Sequence, residues 1–345
     1  MKKIINVFAI YLMPLLFVVL LIHNAYSLQV SFVVGEAFVE RNGKQVTATV
    51  GMNVGSGDSI ITKKASIVEL LFLDGSAVKI FENAKVKIAS VQEKEENISV
   101  VNGVVKAKIA KLQKAELKKI YTPTTVCAIR GTEFFVAVSD SSNSRINMEE
   151  GLLELINPYG VLTIQGDEQA NAEIAKKAEA DENLKNPEAW KNTEDNNFTI
   201  EPQKYADSYE EYLQTLEERS SAQATEIKKL KKMPIKKKYT DTIEQDMQEV
   251  EEKATMIADD YFLGDCASAA VETVLQNYKD KKQEIYDAFD KIKSQADRVL
   301  QQQKANYEAI MAVKEAYRKS YEEIKGKHKQ SIEKIKEEVK KVQEQ

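Results

Sequence analysis

The feature that most constrains the fold is a stripe of apolar residues, spaced alternately three and four positions apart, in the last third of the chain. This spacing keeps a stripe on one face of an α-helix. Its two segments comprise Ile243, Met247, Val250, Ala254, Ile257 and Tyr261, then Leu275, Tyr278, Ile285, Phe289, Ile292, Ala296, Val299, Ile310, Val313, Tyr317 and Ile324. After an interruption at Gly264, the pattern predicts one long helix from Ala267 to about Lys325. A helix of that length needs a partner, so we expect a coiled coil or an antiparallel helical bundle.

Polar residues interrupt the stripe and predict how the helices are held in register. Gln303 and Asn306 stand where apolar residues should continue, and buried amides of this kind usually fix register rather than add adhesion. The stripe shifts near Gly326 and His328 and continues through Ile332, Ile335, Val339 and Val342. We interpret His328 as part of the stripe rather than as a ligand. An upstream helix, rich in tyrosine and leucine, is expected to end near Pro234.

The preceding half of the chain, from about Ser31 to Gly166, is rich in Val, Ile, Thr, Phe and Gly. Short apolar segments flank Asn42-Gly43, Asp74-Gly75 and Asn102-Gly103, and each of these dipeptides is typical of a β-hairpin turn. Many short strands at this spacing predict an all-β sandwich, a barrel or a short β-solenoid. The fold class is therefore α+β, with the strands and the helices in separate domains.

Several segments of this half resemble the FecR-domain family. They are Thr122-Pro123, the block Arg130-Gly131-Thr132-Glu133-Phe134 and the turn Asp74-Gly75-Ser76, with Gly57-Asp58, Glu150-Gly151 and Gly166-Asp167 in the same order as in the family. The resemblance covers about residues 30–169 and implies a periplasmic sensor domain that binds a protein partner. Members of the family relay a transporter signal to a sigma factor through a cytoplasmic regulator domain. Only Met1 to Lys3 precede the apolar N-terminal segment here, so a direct role with a sigma factor is not expected.

The block from Arg130 to Phe134 has a structural and a functional interpretation. Gly131 can adopt a positive φ where a strand begins, and Arg130 and Glu133 can form a partly buried ion pair at that corner. We favour this structural role. The alternative is that Arg130 captures a carboxylate or a strand edge of a partner.

The N-terminus indicates export from the cytoplasm. Lys2 and Lys3 precede an apolar run from Ile4 to Ile22, and Ala25-Tyr26-Ser27 supplies small residues at the positions of a signal-peptidase site. We expect residues 1–27 to be a cleaved signal peptide and the mature protein to be periplasmic or extracellular. The alternative is an uncleaved anchor in the inner membrane, because the apolar run is nearly long enough to span a bilayer.

The remaining chemistry predicts neither an enzyme nor a cofactor. Cys127 and Cys266 are the only cysteines, and we expect Cys127 to be a buried apolar residue, Cys266 to start a helix, and no disulfide between them. His328 is the only histidine outside the N-terminal segment, which excludes clustered His/Cys metal sites and Ser-His or Cys-His pairs near the β domain. Asp58 and Asp74 lie in glycine-flanked turns, where aspartate makes local hydrogen bonds.

These inferences give a domain plan and two hypotheses of function. The plan is a signal peptide at 1–27, a FecR-like β domain at 28–170, a polar linker at 171–203 in which Trp190 packs on a neighbouring domain, and a helical domain at 204–345. In the first hypothesis, the β domain binds a protein partner or senses a signal in the cell envelope and the helical tail assembles it, with possible self-association. In the second, the chain is a structural spacer.

The charge of the chain bears on its partners. The small net charge of −5 does not favour nucleic acid as a partner. The basic cluster Lys228 to Lys238 or an uncleaved N-terminus could contact membrane.

Overall fold

The chain folds into an N-terminal β region followed by long helices, which confirms the expected fold class. A computed structural model describes residues 28–92, 95–110, 117–129, 131–183, 186–233 and 242–343. The predicted signal peptide and Arg130 lie outside these ranges. Among the described residues, no helix is long and apolar enough to cross a membrane.

The β region contains seventeen strands within the described ranges. They are β1 (Leu28–Val34), β2 (Ala37–Arg41), β3 (Lys44–Thr47), β4 (Asn53–Val54), β5 (Ser59–Thr62), β6 (Ile67–Leu71), β7 (Ala77–Ile80), β8 (Lys85–Gln92), β9 (Glu95–Lys108), β10 (Leu117–Tyr121), β11 (Val126–Ile129), β12 (Glu133–Val138), β13 (Ser144–Glu150), β14 (Leu152–Asn157), β15 (Gly160–Gln165), β16 (Gln169–Ala172) and β17 (Glu179–Ala180).

The strands form two sheets that share the long strand β9. Sheet A has the order β4-β1-β6-β7-β9-β12-β13-β16-β17. Sheet B has the order β3-β2-β5-β8-β9-β10-β11-β14-β15. Alternate side chains of both sheets, such as Leu70 from sheet A and Ile88 from sheet B, meet in one apolar core. The arrangement is therefore a pair of sheets around one core, which we call the sandwich, and the chain passes repeatedly from one sheet to the other.

The predicted hairpin at Asn102-Gly103 is wrong, because β9 runs straight through it. Residues before Gly103 pair with β8 and β10 in sheet B, and residues from Gly103 onward pair with β7 and β12 in sheet A. Gly103 has a φ of 102°, and a Cβ atom there would lie 2.3 Å from the Cβ of Ala84. A strand that crosses between sheets thus needs glycine for the same conformational reason as a turn. The other two turns, at Asn42-Gly43 and Asp74-Gly75, do join hairpins.

Four helices follow within the described residues: α1 (Pro187–Ile200), α2 (Pro202–Lys232), α3 (Ile243–Tyr278) and α4 (Gln283–Gln343). The long helix predicted from Ala267 is divided, because the chain reverses between Tyr278 and Gln283. Gly264 does not interrupt α3, and Cys266 lies inside that helix rather than at its start. A Cβ atom on Gly264 would lie 1.8 Å from Oε1 of Gln303, so glycine here makes room for α4.

Helices α2, α3 and α4 form an antiparallel bundle along the predicted stripe. The two amides that interrupt the stripe are buried and paired, as expected from the sequence. The Gln303 amide donates a 2.9 Å hydrogen bond to the Asp260 carbonyl oxygen, and the Asn306 amide donates to the Ser220 carbonyl oxygen at 2.7 Å. They join α4 to α3 and to α2 respectively, which fixes the register of all three helices.

The stretch expected to be a linker, residues 171–203, contains regular structure. It includes the end of β16, the short strand β17 and the whole of α1. Asn186 caps α1, since its side chain accepts hydrogen bonds from the backbone N–H groups of Glu188 and Ala189. Trp190 of α1 is buried against Val104 and Ala137 on the outer face of sheet A. The domain boundaries themselves stay a prediction.

Candidate functional site

Two of the FecR-like segments meet at the end of β9. The Ser76 hydroxyl, in the turn after Asp74 and Gly75, accepts a 3.0 Å hydrogen bond from the backbone N–H of Ala110. On the other side, the carbonyl oxygen of Thr132 accepts one of 2.9 Å from the backbone N–H of Ile109. The Asp74 carboxylate accepts a hydrogen bond from the backbone N–H of Ser76 in the same turn, and it also binds Lys118 Nζ at 2.6 Å. This contact area therefore anchors the strand that joins the two sheets.

The rest of the Arg130-to-Phe134 block also packs within the β domain. Gly131 has a φ of 65°, which supports its predicted role at a strand start. Phe134 is fully buried in the core. Glu133 binds Lys106 at 2.9 Å and Lys108 at 3.1 Å, and these hydrogen bonds lower the pKa of its carboxyl group. The predicted pairing of Glu133 with Arg130 concerns a residue outside the described ranges.

Thr122 and Pro123 form the tight turn between β10 and β11. The Thr122 hydroxyl accepts hydrogen bonds from the backbone N–H groups of Thr124 and Thr125, at 3.2 and 3.0 Å. The turn is buried, and the Thr124 hydroxyl continues the network to Ser144. Thr122 and Pro123 lie at a different turn from Asp74 and Gly75. The FecR-like segments therefore make structural contacts at two separate turns of the β domain.

The residue before this turn connects the β domain with the helices. The Tyr121 hydroxyl donates a 2.9 Å hydrogen bond to the Asp259 carboxylate of α3, and the same carboxylate binds Lys119 Nζ at 2.7 Å. The Tyr121 ring packs against Phe262, with 5.2 Å between ring centroids. Charged and apolar contacts together therefore hold α3 against the outer face of sheet B.

A second ion pair fastens the next turn of α3. Lys87 Nζ of β8 binds the Asp265 carboxylate at 2.6 Å. The neighbouring Cys266 thiol lies 3.4 Å from the Val100 carbonyl oxygen of β9, and burial raises the pKa of this thiol. Cys127 is buried in the β core, and both cysteines are free, in agreement with the expected absence of a disulfide.

Loss of the Asp259 carboxylate should weaken the attachment of the helices. We expect Asp259→Ala to lower the free energy of unfolding by about 3 kcal/mol, because Lys119 would stay largely buried without its partner. Urea denaturation followed by circular dichroism measures this change. Asp297→Ala, which breaks a half-exposed pair with Lys293 one turn away on α4, should change stability by less than about 0.5 kcal/mol. Equal effects of the two variants would contradict the assigned contact.

A polar cleft of about 620 Å³ lies where the β domain meets α1 and the end of α3. Its base is the Asp140 carboxylate, which accepts 2.6 Å hydrogen bonds from the Asn102 amide and from the Tyr278 hydroxyl. Asp195 of α1 accepts a 2.7 Å hydrogen bond from the Asp140 backbone N–H and binds Lys191 at 2.5 Å. Both helices are thereby tied to the turn between β12 and β13.

The charges of this cleft are partly balanced. Burial raises the pKa of Asp195, and the ammonium group of Lys191 opposes this shift. Burial and the adjacent Asp140 carboxylate together raise the pKa of Tyr278, so its hydroxyl stays a donor. Within the ranges that the structure describes, no three His, Cys, Asp or Glu side chains are placed to share a metal ion. The arrangement can hold the chain's own elements together and can hydrogen-bond a polar ligand.

Sequence reasoning missed the residues that join the two halves. Asp140, Asp259 and Asp265 are paired with residues more than one hundred positions away. One signal was available in α3, where residues 261–271 contain a single charged residue, Asp265, around the whole circumference of the helix. A helix that is apolar around most of its circumference is buried on more than one side. That signal predicts that α3 has a second packing surface, but it does not identify the element that packs there.

Comparisons with known proteins found two similar solved structures and one family match. Two solved structures, both of a protein from Parabacteroides distasonis ATCC 8503 provisionally described as an anti-sigma factor, are 13% identical to the chain, with TM-scores of 0.33 and 0.32. Each alignment covers 36% of this chain, which spans 58% of the length of those structures. No curated protein matches the sequence. Residues 58–154 match the family model described as FecR protein. The chain therefore contains a segment that matches the FecR family, and a helical C-terminal region follows it.

Proposed function

We propose that the protein is an exported, non-enzymatic component of the cell envelope whose FecR domain binds a protein partner or senses a signal. The observation that carries the proposal is an exposed apolar surface on sheet A. Phe32 and Val34 of β1 and Leu71 of β6 are 46%, 47% and 40% exposed on its outer face. Such a surface on a folded domain is typical of a protein-binding site.

The position of the helices supports the choice of this surface. Helix α3 occupies the outer face of sheet B, and α1 covers the outer face of sheet A at Val104 and Ala137. Strands β1 and β6 lie at the other end of sheet A, away from the contact with α1. We call the exposed residues Phe32, Val34 and Leu71 the β1–β6 surface, and we propose it as the site of an envelope protein partner.

Charged substitutions on the β1–β6 surface should abolish partner capture without unfolding the domain. We expect Phe32→Glu with Val34→Glu to reduce the amount of crosslinked partner captured from envelopes by about tenfold or more. The control is Val46→Glu with Val161→Glu, since these residues are equally exposed on the edge strands of sheet B. Capture of the same partners in the same amounts by both variants would contradict this site.

The helical region is proposed to assemble the protein through self-association. It folds back onto the β domain through Asp259 and Asp265, while the C-terminal end of α4 stays exposed. A spacer would be expected to keep its helices away from the domain that it carries. The contacts therefore support an assembly role over a purely structural spacer.

Export is proposed from the predicted signal peptide. Mass spectrometry of the native protein should find Leu28 as the first residue, because Ala25-Tyr26-Ser27 forms the predicted cleavage site. The same measurement on the membrane fraction tests the alternative. Detection of an intact Met1 in that fraction would mean that the N-terminal segment is an uncleaved anchor and that the protein is a membrane-anchored component of a signal relay.

A further inference from the structure

The C-terminal end of α4 is a solvent-exposed helical arm. Every residue from 325 to 341 is exposed, although Ile332, Ile335 and Val339 form an apolar stripe. These residues stand at positions i, i+3 and i+7, which is the spacing of anchors that place a helix in an apolar groove. We call residues 325–343 the C-terminal arm.

The arm is strongly basic. Residues 325–343 contain seven lysines and three glutamates, which gives a net charge of +4. Lys329 and Lys336 lie along one border of the apolar stripe, because they are three residues before and four residues after Ile332. Lys334 and Lys341 lie on the far side of the helix. A surface that accepts the stripe should therefore be apolar with an acidic border.

Such a surface is present between α2, α3 and the end of the β11–β14 pair in sheet B. A cleft of about 430 Å³ is lined there by Ile156, Leu263 and Met256, and Met256 is 48% exposed. Its rim carries the exposed carboxylates Glu251 and Glu252. Asp259 and Asp260 also line it, and each is paired with a basic residue. Asp259 binds Lys119, as described above, and Asp260 binds Arg219. We call this the acidic cleft.

The arm cannot reach the acidic cleft of its own chain. Asp260, which lines the cleft, contacts Gln303 on α4, and Ile332 lies 29 residues further along the same continuous helix. At about 1.5 Å per residue, the separation is about 40 Å. The occupant must therefore come from another molecule, and a second copy of this chain carries a segment of matching charge and spacing.

We propose that the C-terminal arm of one copy docks in the acidic cleft of another copy. This inference rests on the proposed self-association and names its two surfaces. The contact is head-to-tail, because the two surfaces differ and a pair of copies keeps one unoccupied arm and one unoccupied cleft. Association then continues into an open chain or closes into a ring.

Complementation between two defective chains tests this geometry directly. The mature chain from Leu28 is made as Ile335→Asp, which disables the arm, and as Met256→Asp, which disables the cleft. Sedimentation velocity should find wild-type assemblies larger than a dimer, or a ring, and each variant alone as a monomer. An equimolar mixture should form dimers and nothing larger, because only one arm–cleft contact remains possible.

Charge exchange provides a second test on the full mature chain. Lys329→Glu with Lys336→Glu should weaken association at least about tenfold, and adding Glu251→Lys with Glu252→Lys should restore it. The control, Lys334→Glu with Lys341→Glu, changes charge equally on the far side of the arm and should have a much smaller effect.

The outcomes separate this inference from the proposed self-association. A wild-type chain that stays monomeric would overturn both. If Ile335→Asp prevents assembly while Met256→Asp does not, the arm pairs with another arm, so self-association stands and the acidic cleft is not its site. If wild-type assemblies survive both substitutions, other surfaces make the contact and the inference is wrong.

Discussion

Replacement of Ile292 by aspartate is expected to lower the free energy of unfolding by at least about 4 kcal/mol. Ile292 is 2% exposed in the apolar cluster that α4 shares with the other helices and with Tyr121 and Val126 of sheet B. The substitution removes buried apolar atoms and also places a carboxylate where no partner is available. Because the cluster joins both halves of the protein, the loss should reach the β domain as well as the bundle.

The same substitution at Ile335 supplies the control. Ile335 belongs to the same helix, but its side chain is 58% exposed, so Ile335→Asp should change the stability of the monomer by no more than about 0.5 kcal/mol. Urea denaturation at low protein concentration, followed by circular dichroism and by tyrosine fluorescence, compares both variants with the wild type. Equal stability of the Ile292 variant and the wild type would show that the predicted stripe is not a packed interface.

The helical pattern could be predicted because it is local and repetitive. The apolar stripe correctly identified Ile292 and the buried amides Gln303 and Asn306 from their spacing alone. It did not show the reversal after Tyr278, because the segment between Tyr278 and Gln283 contains neither glycine nor proline. Gly264 was misinterpreted for the opposite reason, since glycine can serve close helix packing as well as termination.

The β domain was predictable at the level of fold class and of two of its three assigned turns. Asn102-Gly103 has the composition of a hairpin turn, but β9 continues because neighbouring strands in two sheets pair with it on either side of Gly103. Local propensity cannot distinguish these cases, because positive φ is required in both. The pairing partners are decided by the whole sandwich.

The attachment of the helices to the sandwich could not be predicted. The interface depends on Lys119 with Asp259 and on Lys87 with Asp265, pairs that are 140 and 178 residues apart. Composition separates a β half from a helical half, and it carries no signal about contacts between them. The inference of two domains in sequence therefore says little about how they pack.

Arg145 is the buried charge whose removal should cost the most in the β domain. It is fully buried on β13, where its guanidinium binds Asp181 at 2.7 Å, the Asn171 side chain at 2.8 Å and the Asn183 carbonyl oxygen at 2.7 Å. These contacts hold the segment after β17 over the sheet. We expect Arg145→Met to lower the free energy of unfolding by about 3 to 5 kcal/mol, because it leaves Asp181 largely buried without a counter-charge.

An exposed pair of the same chemistry provides the control. Arg298 of α4 binds Glu217 of α2 with two hydrogen bonds, and their side chains are 60% and 34% exposed. Arg298→Met should therefore lower the free energy of unfolding by no more than about 1 kcal/mol. Urea denaturation of both variants tests whether burial, rather than the number of hydrogen bonds, sets the size of the effect.

The contribution of Arg145 should also depend on pH in a defined direction. Hydrogen bonds from Arg145 hold the pKa of the Asp181 carboxyl well below its usual range in the folded protein. The unfolded chain then binds the proton more readily, so the stabilisation is complete above about pH 5 and declines as the pH falls through about 4 and below. The difference in stability between the wild type and Arg145→Met should be constant from about pH 5 to 7 and should shrink steadily in more acidic solution. A difference that stays unchanged down to about pH 2 would mean that Arg145 acts through packing and neutral hydrogen bonds alone.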